Sequence, residues 1–294
     1  MSPSAVEIQA RTLAGYADAS RLRQVQDRDW VLDRVTGTPE TLIDLGSGIG
    51  QLLATALERF PSLRLAVGLE RSEHRIAEAT ERLAPYGSRA VLHTADLTAP
   101  EQLPYRAQVI TQTSVLHWLY PDEDRTFAWA AAHLAPGGRF LLTTYHPARD
   151  AHGLGGEDEL VREALTALGT PAADVPALLA AHGILPIATR TRTVDDLHTV
   201  LAPHLRVAGH AERDAVVTVD SAAQYEHFHA ATFGDYYARV LPAERRADFY
   251  RAVGAAAWRR QNAHGHVSHM PVRLWELTAH EEFVSGTGNR PSRT

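Results

Sequence analysis

A few short stretches hold the residues whose types and spacing could do chemistry. Thr41 to Gly50 reads TLIDLGSGIG: an apolar run, Asp44 near its end, then Gly46, Gly48 and Gly50 in alternation, with Ser47 between the first two. Glycines accept positive φ and let a ligand approach the backbone closely. The helix-like segment from Gln51 to Glu58 then offers free first-turn N–H groups to an anionic part of that ligand. Strand, glycine turn and helix open a βαβ unit of the kind that holds a nucleotide-like ligand. Glu70 stands 20 residues after Gly50, where a carboxylate can accept from two vicinal ribose hydroxyls; an exposed strand-end carboxylate is the plainer alternative. Asp96, in Thr94-Ala95-Asp96-Leu97, is on its own an ordinary turn residue. Further along, His117, Trp118 and His146 bring imidazoles that can move protons and an indole that can only donate.

These residues sit on a regular alternation of elements. Strands are expected at 41–45, 64–69, 90–93, 107–112 and 139–145, with helices at about 49–59, 72–84 and 123–134 between them. Pro61 ends the first of these helices, and Pro85 with Gly87 closes the second. Strands interleaved with helices imply a parallel sheet with helices on both faces. After Tyr145 the alternation loosens into helices at about 157–168, 174–182, 194–202, 221–232 and 242–260, with strands around 205–219 and 271–277. Residues 4–35 read as helix, and the Gly/Ser/Arg/Pro-rich tail from Ser285 as disorder.

Composition removes several chemistries. The chain has 294 residues, 45% hydrophobic and 22% charged, enough for a substantial core. Its formal net charge of −6 gives no basic excess for non-specific nucleic-acid binding. There is no cysteine, which excludes disulfides, thiolate catalysis and Cys-ligated metals and fits a reducing cytoplasm. There is no lysine either, which excludes a Schiff base and a P-loop. No signal peptide is expected, since Met1 to Gln9 lacks a basic segment followed by an apolar one, and no apolar run reaches the ~20 residues that span a bilayer. The 16 histidines include His264-x-His266-x-x-His269 and His227-x-His229, but neither has the H-E-x-x-H spacing, so no metal is expected.

The glycine spacing narrows the ligand. A dinucleotide fingerprint, G-x-G-x-x-G, would need glycine where Gln51 stands. The D-x-G-x-G-x-G pattern instead resembles the first motif of the class I S-adenosylmethionine-dependent methyltransferases. Ala135-Pro136-Gly137-Gly138-Arg139-Phe140-Leu141 resembles the same family's turn before the fifth strand. The likeness is close over residues 41–145 and looser to about 280, where Leu241 to Arg246 is similar to the trans-aconitate methyltransferase type. The resemblance implies a doubly wound, Rossmann-like, mostly parallel seven-stranded sheet with helical cover insertions. It implies one methyltransferase domain over 1–284: an N-terminal cover (1–38), a cofactor-binding core (39–145), and insertions at 146–190 and 221–260. The tail is 285–294.

The resemblance also implies roles. S-adenosylmethionine is the cofactor, and Asp44 helps hold its methionyl ammonium group. Gly46, Ser47, Gly48 and Gly50 lie along the ligand, Glu70 binds the ribose, and Asp96 accepts from the adenine amino group. Leu97 supplies backbone N–H and an apolar face; Arg71 and Thr113 complete the cofactor set. Ser114 to Leu119, SVLHWL, resembles a segment of plant carboxyl methyltransferases whose tryptophan indole binds a substrate carboxylate. Trp118 is therefore either a substrate ligand or a packing residue between sheet and helix. Tyr16 and Arg21, in the region that often closes over the ligand, are either substrate contacts or parts of a packing helix. His146 either orients substrate or acts as base, unless it merely packs.

The expected reaction is methyl transfer to a small molecule, an organic acid, giving a methyl ester. A carboxylate with a pKa near ~4.3 is already ionised at neutral pH and needs no general base. The alternatives are O-, N- or C-methylation with His117 or His146 as base, a protein of this fold that binds the cofactor without transferring methyl, and a nicotinamide-dependent oxidoreductase. No nucleic acid or membrane partner is expected, and the sequence leaves the oligomeric state open.

Overall fold

The computed structural model describes residues 5–12 and 25–280. Seven strands form one sheet in the order β3-β2-β1-β4-β5-β7-β6. They are β1 (Thr41–Leu45), β2 (Leu65–Glu70), β3 (Ala90–Thr94), β4 (Ala107–Gln112), β5 (Leu134–Tyr145), β6 (Leu205–Val217) and β7 (Ser268–Ala279). The first five are joined by parallel pairs: β1 with β2 and β4, β2 with β3, and β4 with β5. This is the doubly wound, mostly parallel seven-stranded sheet expected from the sequence.

Residues 30–144, 193–211 and 273–280 lie in one compact unit. Its strands are apolar on both faces, as buried parallel strands must be. On one face Ile43, Leu45, Val67, Ile110, Phe140 and Leu142 pack with Phe127 and Trp129. On the other, Leu42, Ala66, Val109 and Leu141 pack with Leu52, Leu53, Ala56 and Leu57. The helices that supply these partners are α3 (Gln51–Arg59) and α6 (Glu123–His133), α4 (Glu73–Leu83) buries Ala79 and Leu83, and α10 (Val194–Leu201) adds Leu197 and Leu201 to the first face. In α3 the buried positions recur at i, i+1, i+4 and i+5, one helical stripe. Ser72 caps α4 by accepting from the Arg75 N–H at 3.4 Å. The fifth strand begins five residues before its expected start, because Leu134 already pairs with Ala107 ahead of a register shift. Gly138 in that segment has no room for a side chain: a Cβ would sit 2.9 Å from the Ala107 and Ala135 carbonyl oxygens.

The described residues of 5–29, with 145–192 and 212–272, form a second compact unit. It contains α1 (Ala5–Thr12), α7 (Glu157–Ala167), α8 (Val175–Ala181), α9 (Ile187–Arg190), α11 (Ala222–Phe233) and α12 (Arg246–His264). α12 packs on α11 and α7, and α1 lies against α11. Buried Asp158 holds α9 by accepting from the Ile187 and Ala188 N–H groups at 2.9 and 2.8 Å. α12 runs past its expected end because Arg260 pairs with Glu159 and Glu163 on α7 at 3.1 and 2.6 Å. Gly265, at φ 77°, then closes it. His229 is buried in a shell of Tyr225, Phe233, Tyr237, Phe249 and Tyr250 rings, and burial pushes its imidazole down to about 3.

Of the helix expected over 4–35, residues 4 and 13–24 lie outside the described residues; α1 covers 5–12, and α2 (Val25–Leu32) ends three residues early, in a turn ahead of β1. Tyr16, Arg21 and the tail from Ser285 lie outside the described residues. Among the described residues no helix is long and apolar enough to cross a membrane.

Candidate active site

The residues singled out between Asp44 and Leu97 converge at the carboxyl ends of β1, β2 and β3. The glycine turn leaves β1 with Gly46, Gly48 and Gly50 at φ 75°, 54° and 74°, a region that favours glycine. It is tied to the neighbouring strand: the Gly46 and Ser47 N–H groups both donate to the Leu69 carbonyl, at 2.8 and 3.0 Å. Gly50 is the left-handed residue before α3, and its carbonyl accepts from Ala54 N–H. A Cβ on Gly46 would overlap Val115, so the loop after β4 lies directly on the glycine turn. Among the described residues, the buried Ser47 hydroxyl has no hydrogen-bond partner.

Two carboxylates face this turn, with different surroundings. Glu70, last residue of β2 and only 6% exposed, is clamped by two backbone donors. Gly48 N–H reaches its Oε2 at 3.0 Å, and Ser72 N–H reaches its Oε1 at 2.9 Å. Both oxygens keep lone pairs for further donors. Asp44 is 2% exposed, and its Oδ1 accepts from the Thr111 hydroxyl at 2.8 Å. Burial pushes the Asp44 carboxyl up to about 7; the Thr111 hydrogen bond opposes that rise and the Glu70 charge adds to it. A cationic group brought next to Asp44 would favour the ionised form again.

Asp96 follows β3 in an exposed turn, and its Oδ1 accepts from both the backbone N–H and the hydroxyl of Thr98, at 2.9 and 2.8 Å. Those bonds hold its carboxyl below the usual range. Its Oδ2 has no such bond among the described residues. Leu97 is buried, and its carbonyl accepts from Thr126 at 2.6 Å. Arg71 is exposed beside Glu70, and Thr113 is half-buried just past β4. His117 and Trp118 lie in the short helix α5 (Leu116–Leu119), with ring centroids 5.1 Å apart. His117 is 7% exposed and Trp118 half-buried. His146 belongs to the other compact unit, where its Nδ1–H donates to the Arg192 carbonyl at 3.2 Å. Tyr16 lies outside the described residues.

Three contributors escaped the sequence reading. Thr111 holds Asp44, and its one signal was a hydroxyl inside an otherwise apolar run. Gly68 sits mid-strand opposite Asp44 in the β1–β2 register, where a Cβ would press on Ser47 Oγ at 2.6 Å and Leu53 Cδ1 at 2.9 Å. A glycine inside a strand pattern is a sign of close backbone approach. Val115, which covers the glycine turn, had no signal at all.

The model of a methyltransferase-domain family matches residues 43–140. No curated protein matches the chain significantly. Among solved structures, the phosphoethanolamine N-methyltransferase 2 of Haemonchus contortus is similar over 94% of this chain and 59% of its own, at 14% identity and a TM-score of 0.56. This chain thus spans little more than half of that enzyme's length. The mycolic acid cyclopropane synthase CmaA1, crystallised with S-adenosylhomocysteine, is similar over 94% and 99% at 16% identity and a TM-score of 0.55. An O-methyltransferase of a Brevibacillus brevis polyketide multienzyme is similar over 95% and 80% at 15% identity and a TM-score of 0.51. At these identities the likeness is one of fold. Residues 43–140 match a methyltransferase domain, and the sheet has the Rossmann-like fold of these solved structures.

Proposed function

We propose that the chain is an S-adenosylmethionine-dependent methyltransferase of a small organic acid, forming a methyl ester. The observation that carries the cofactor reading is the pair of carboxylates at the glycine turn. Glu70 is fixed by Gly48 and Ser72 with lone pairs to spare, and Asp44 is buried in a form that a cation would ionise. A ribose and an ammonium group, both present in S-adenosylmethionine, suit those two needs. The partnerless Ser47 hydroxyl adds a polar atom for the same ligand. When bound, this cofactor supplies an electrophilic methyl group on a sulfonium. The chain's own residues then have to hold the acceptor in line and keep water away.

The acceptor reading rests on Trp118 and on a chain without lysine or cysteine. Trp118 can only donate, which suits a carboxylate. His117 is nearly buried, so it serves better as a second donor than as a proton carrier. Nitrogen, hydroxyl or carbon acceptors, with His117 or His146 as base, are the second reading; the solved structures of this fold act on several kinds of acceptor, as their names state. Incubation with methyl-labelled cofactor and a panel of small acids tests the proposal. Label in a product that mild alkali releases supports the ester. Label that survives alkali overturns it, and cofactor binding without transfer to any acceptor would leave a binding protein of this fold.

A further inference from the structure

A cleft of about 190 Å³ lies at the amino ends of β1, β4 and β5, the opposite ends of these strands from the glycine turn. Its walls include Arg34, Thr36, Thr38, Gln108 and Arg139. Both guanidinium groups converge on one carboxylate. Arg139 Nη1 is 2.8 Å from Glu276 Oε2, and Arg34 Nη1 is 3.5 Å from Glu276 Oε1. Two cations sharing one anion leave an excess of one positive charge in a concave site. Each guanidinium has five N–H donors in a planar fork, and among the described residues each spends donors only on Glu276. Gln108 is engaged elsewhere, its Oε1 accepting from Thr41 N–H at 2.8 Å. Thr36 and Thr38 line the same cleft. Planar forks beside hydroxyls recognise oxyanions. The volume is below the roughly 300 Å³ at which drug-sized pockets begin, so a nucleotide does not fit.

We propose that this cleft binds a small oxyanion of the phosphate type, held between Arg34 and Arg139 with Glu276 setting the residual charge. The role of Glu276 makes the proposal sharp. If the three side chains are only a structural brace, removing the carboxylate weakens the protein and creates no affinity. If they form an anion site, Glu276→Gln raises the local charge from one to two and tightens binding.

Inorganic phosphate is the probe, titrated into the full chain by calorimetry and followed by the melting temperature. Sodium chloride holds ionic strength constant so that screening is matched. Saturable binding is expected in the wild type. Loss of one charge-assisted fork in Arg34→Gln or Arg139→Gln should weaken it about tenfold or more. Glu276→Gln should tighten it severalfold, and affinity for S-adenosylhomocysteine should stay within twofold in all three variants, by the distance between the two ends of the strands. No saturable binding in the wild type overturns the proposal. So does binding that survives in both arginine variants, or that fails to tighten in a folded Glu276→Gln protein.

Discussion

Glu70→Gln separates ribose binding from a purely structural use of the carboxylate. In the wild type Gly48 N–H and Ser72 N–H each occupy one lone pair of the two oxygens, at 3.0 and 2.9 Å. A ribose would use the remaining lone pairs. The amide keeps the side-chain shape and one acceptor but turns the other atom into a donor. One ribose hydroxyl then loses its acceptor, and the other loses a charged one. A hydrogen bond to a charged group is worth about 1.5–3 kcal/mol, so affinity for S-adenosylhomocysteine should fall about 10- to 150-fold. The same amide NH₂ faces one of the two backbone donors. That leaves one N–H unsatisfied, at about 1–3 kcal/mol of folding stability. Calorimetric titration measures the first effect and scanning calorimetry the second. A lower melting temperature with unchanged S-adenosylhomocysteine affinity would make Glu70 a brace for the glycine turn and nothing more. NAD, titrated in parallel, should not bind.

The other expected outcomes concern protonation, packing and the acceptor. The folded Asp44 carboxyl sits at about 7 and an unfolded one near 3.9, so the folded state holds the extra proton between those values. Stability should therefore fall as pH rises from about 4 to about 7, by at most roughly 4 kcal/mol, and Asp44→Asn should flatten that slope in pH-dependent melting. Asp158, raised to about 6, shifts stability in the same direction, so the comparison with Asp44→Asn is what isolates the site. An ammonium group beside Asp44 should release protons on binding near pH 6.5; equal binding heats in buffers of different ionisation enthalpy would refute that pairing. Gly68→Ala places a methyl against Ser47 and Leu53 and should cost about 1–3 kcal/mol in chemical denaturation, with weakened cofactor binding. Trp118→Phe keeps the ring and removes the donor; activity on acids should drop by about 1.5–3 kcal/mol in kcat/KM, and wild-type activity would remove Trp118 from the acceptor site.

The strands and the glycine turn were legible because their physics is local. An apolar run broken by alternating glycines marks a buried strand and a turn at positive φ whatever the rest of the chain does. β1 and β4 fall at the expected residues for that reason. Partnerships across the sheet were not legible. Nothing local pairs Thr111 with Asp44, which are 67 residues apart, or sets Val115 on Gly46. The extended end of α12 was hidden likewise, since the carboxylates that hold Arg260 lie about 100 residues earlier. The later helices were found, yet their gathering with residues from the amino-terminal region into a compact unit depends on contacts between distant segments.

The tethering of the glycine turn has a kinetic consequence. Gly46 and Ser47 are bound to Leu69, and Gly48 to Glu70, by the chain's own hydrogen bonds. On the proposed reading, the cofactor meets a site that is already ordered, so association carries little conformational entropy cost. A turn held this way grips ribose and amino-acid portions, which the spent cofactor shares with the fresh one. Binding that does not distinguish the two adds nothing to the chemical step. The spent cofactor should then leave slowly and compete with its replacement, and the enzyme's pace in a cell would follow how quickly S-adenosylhomocysteine is removed by others.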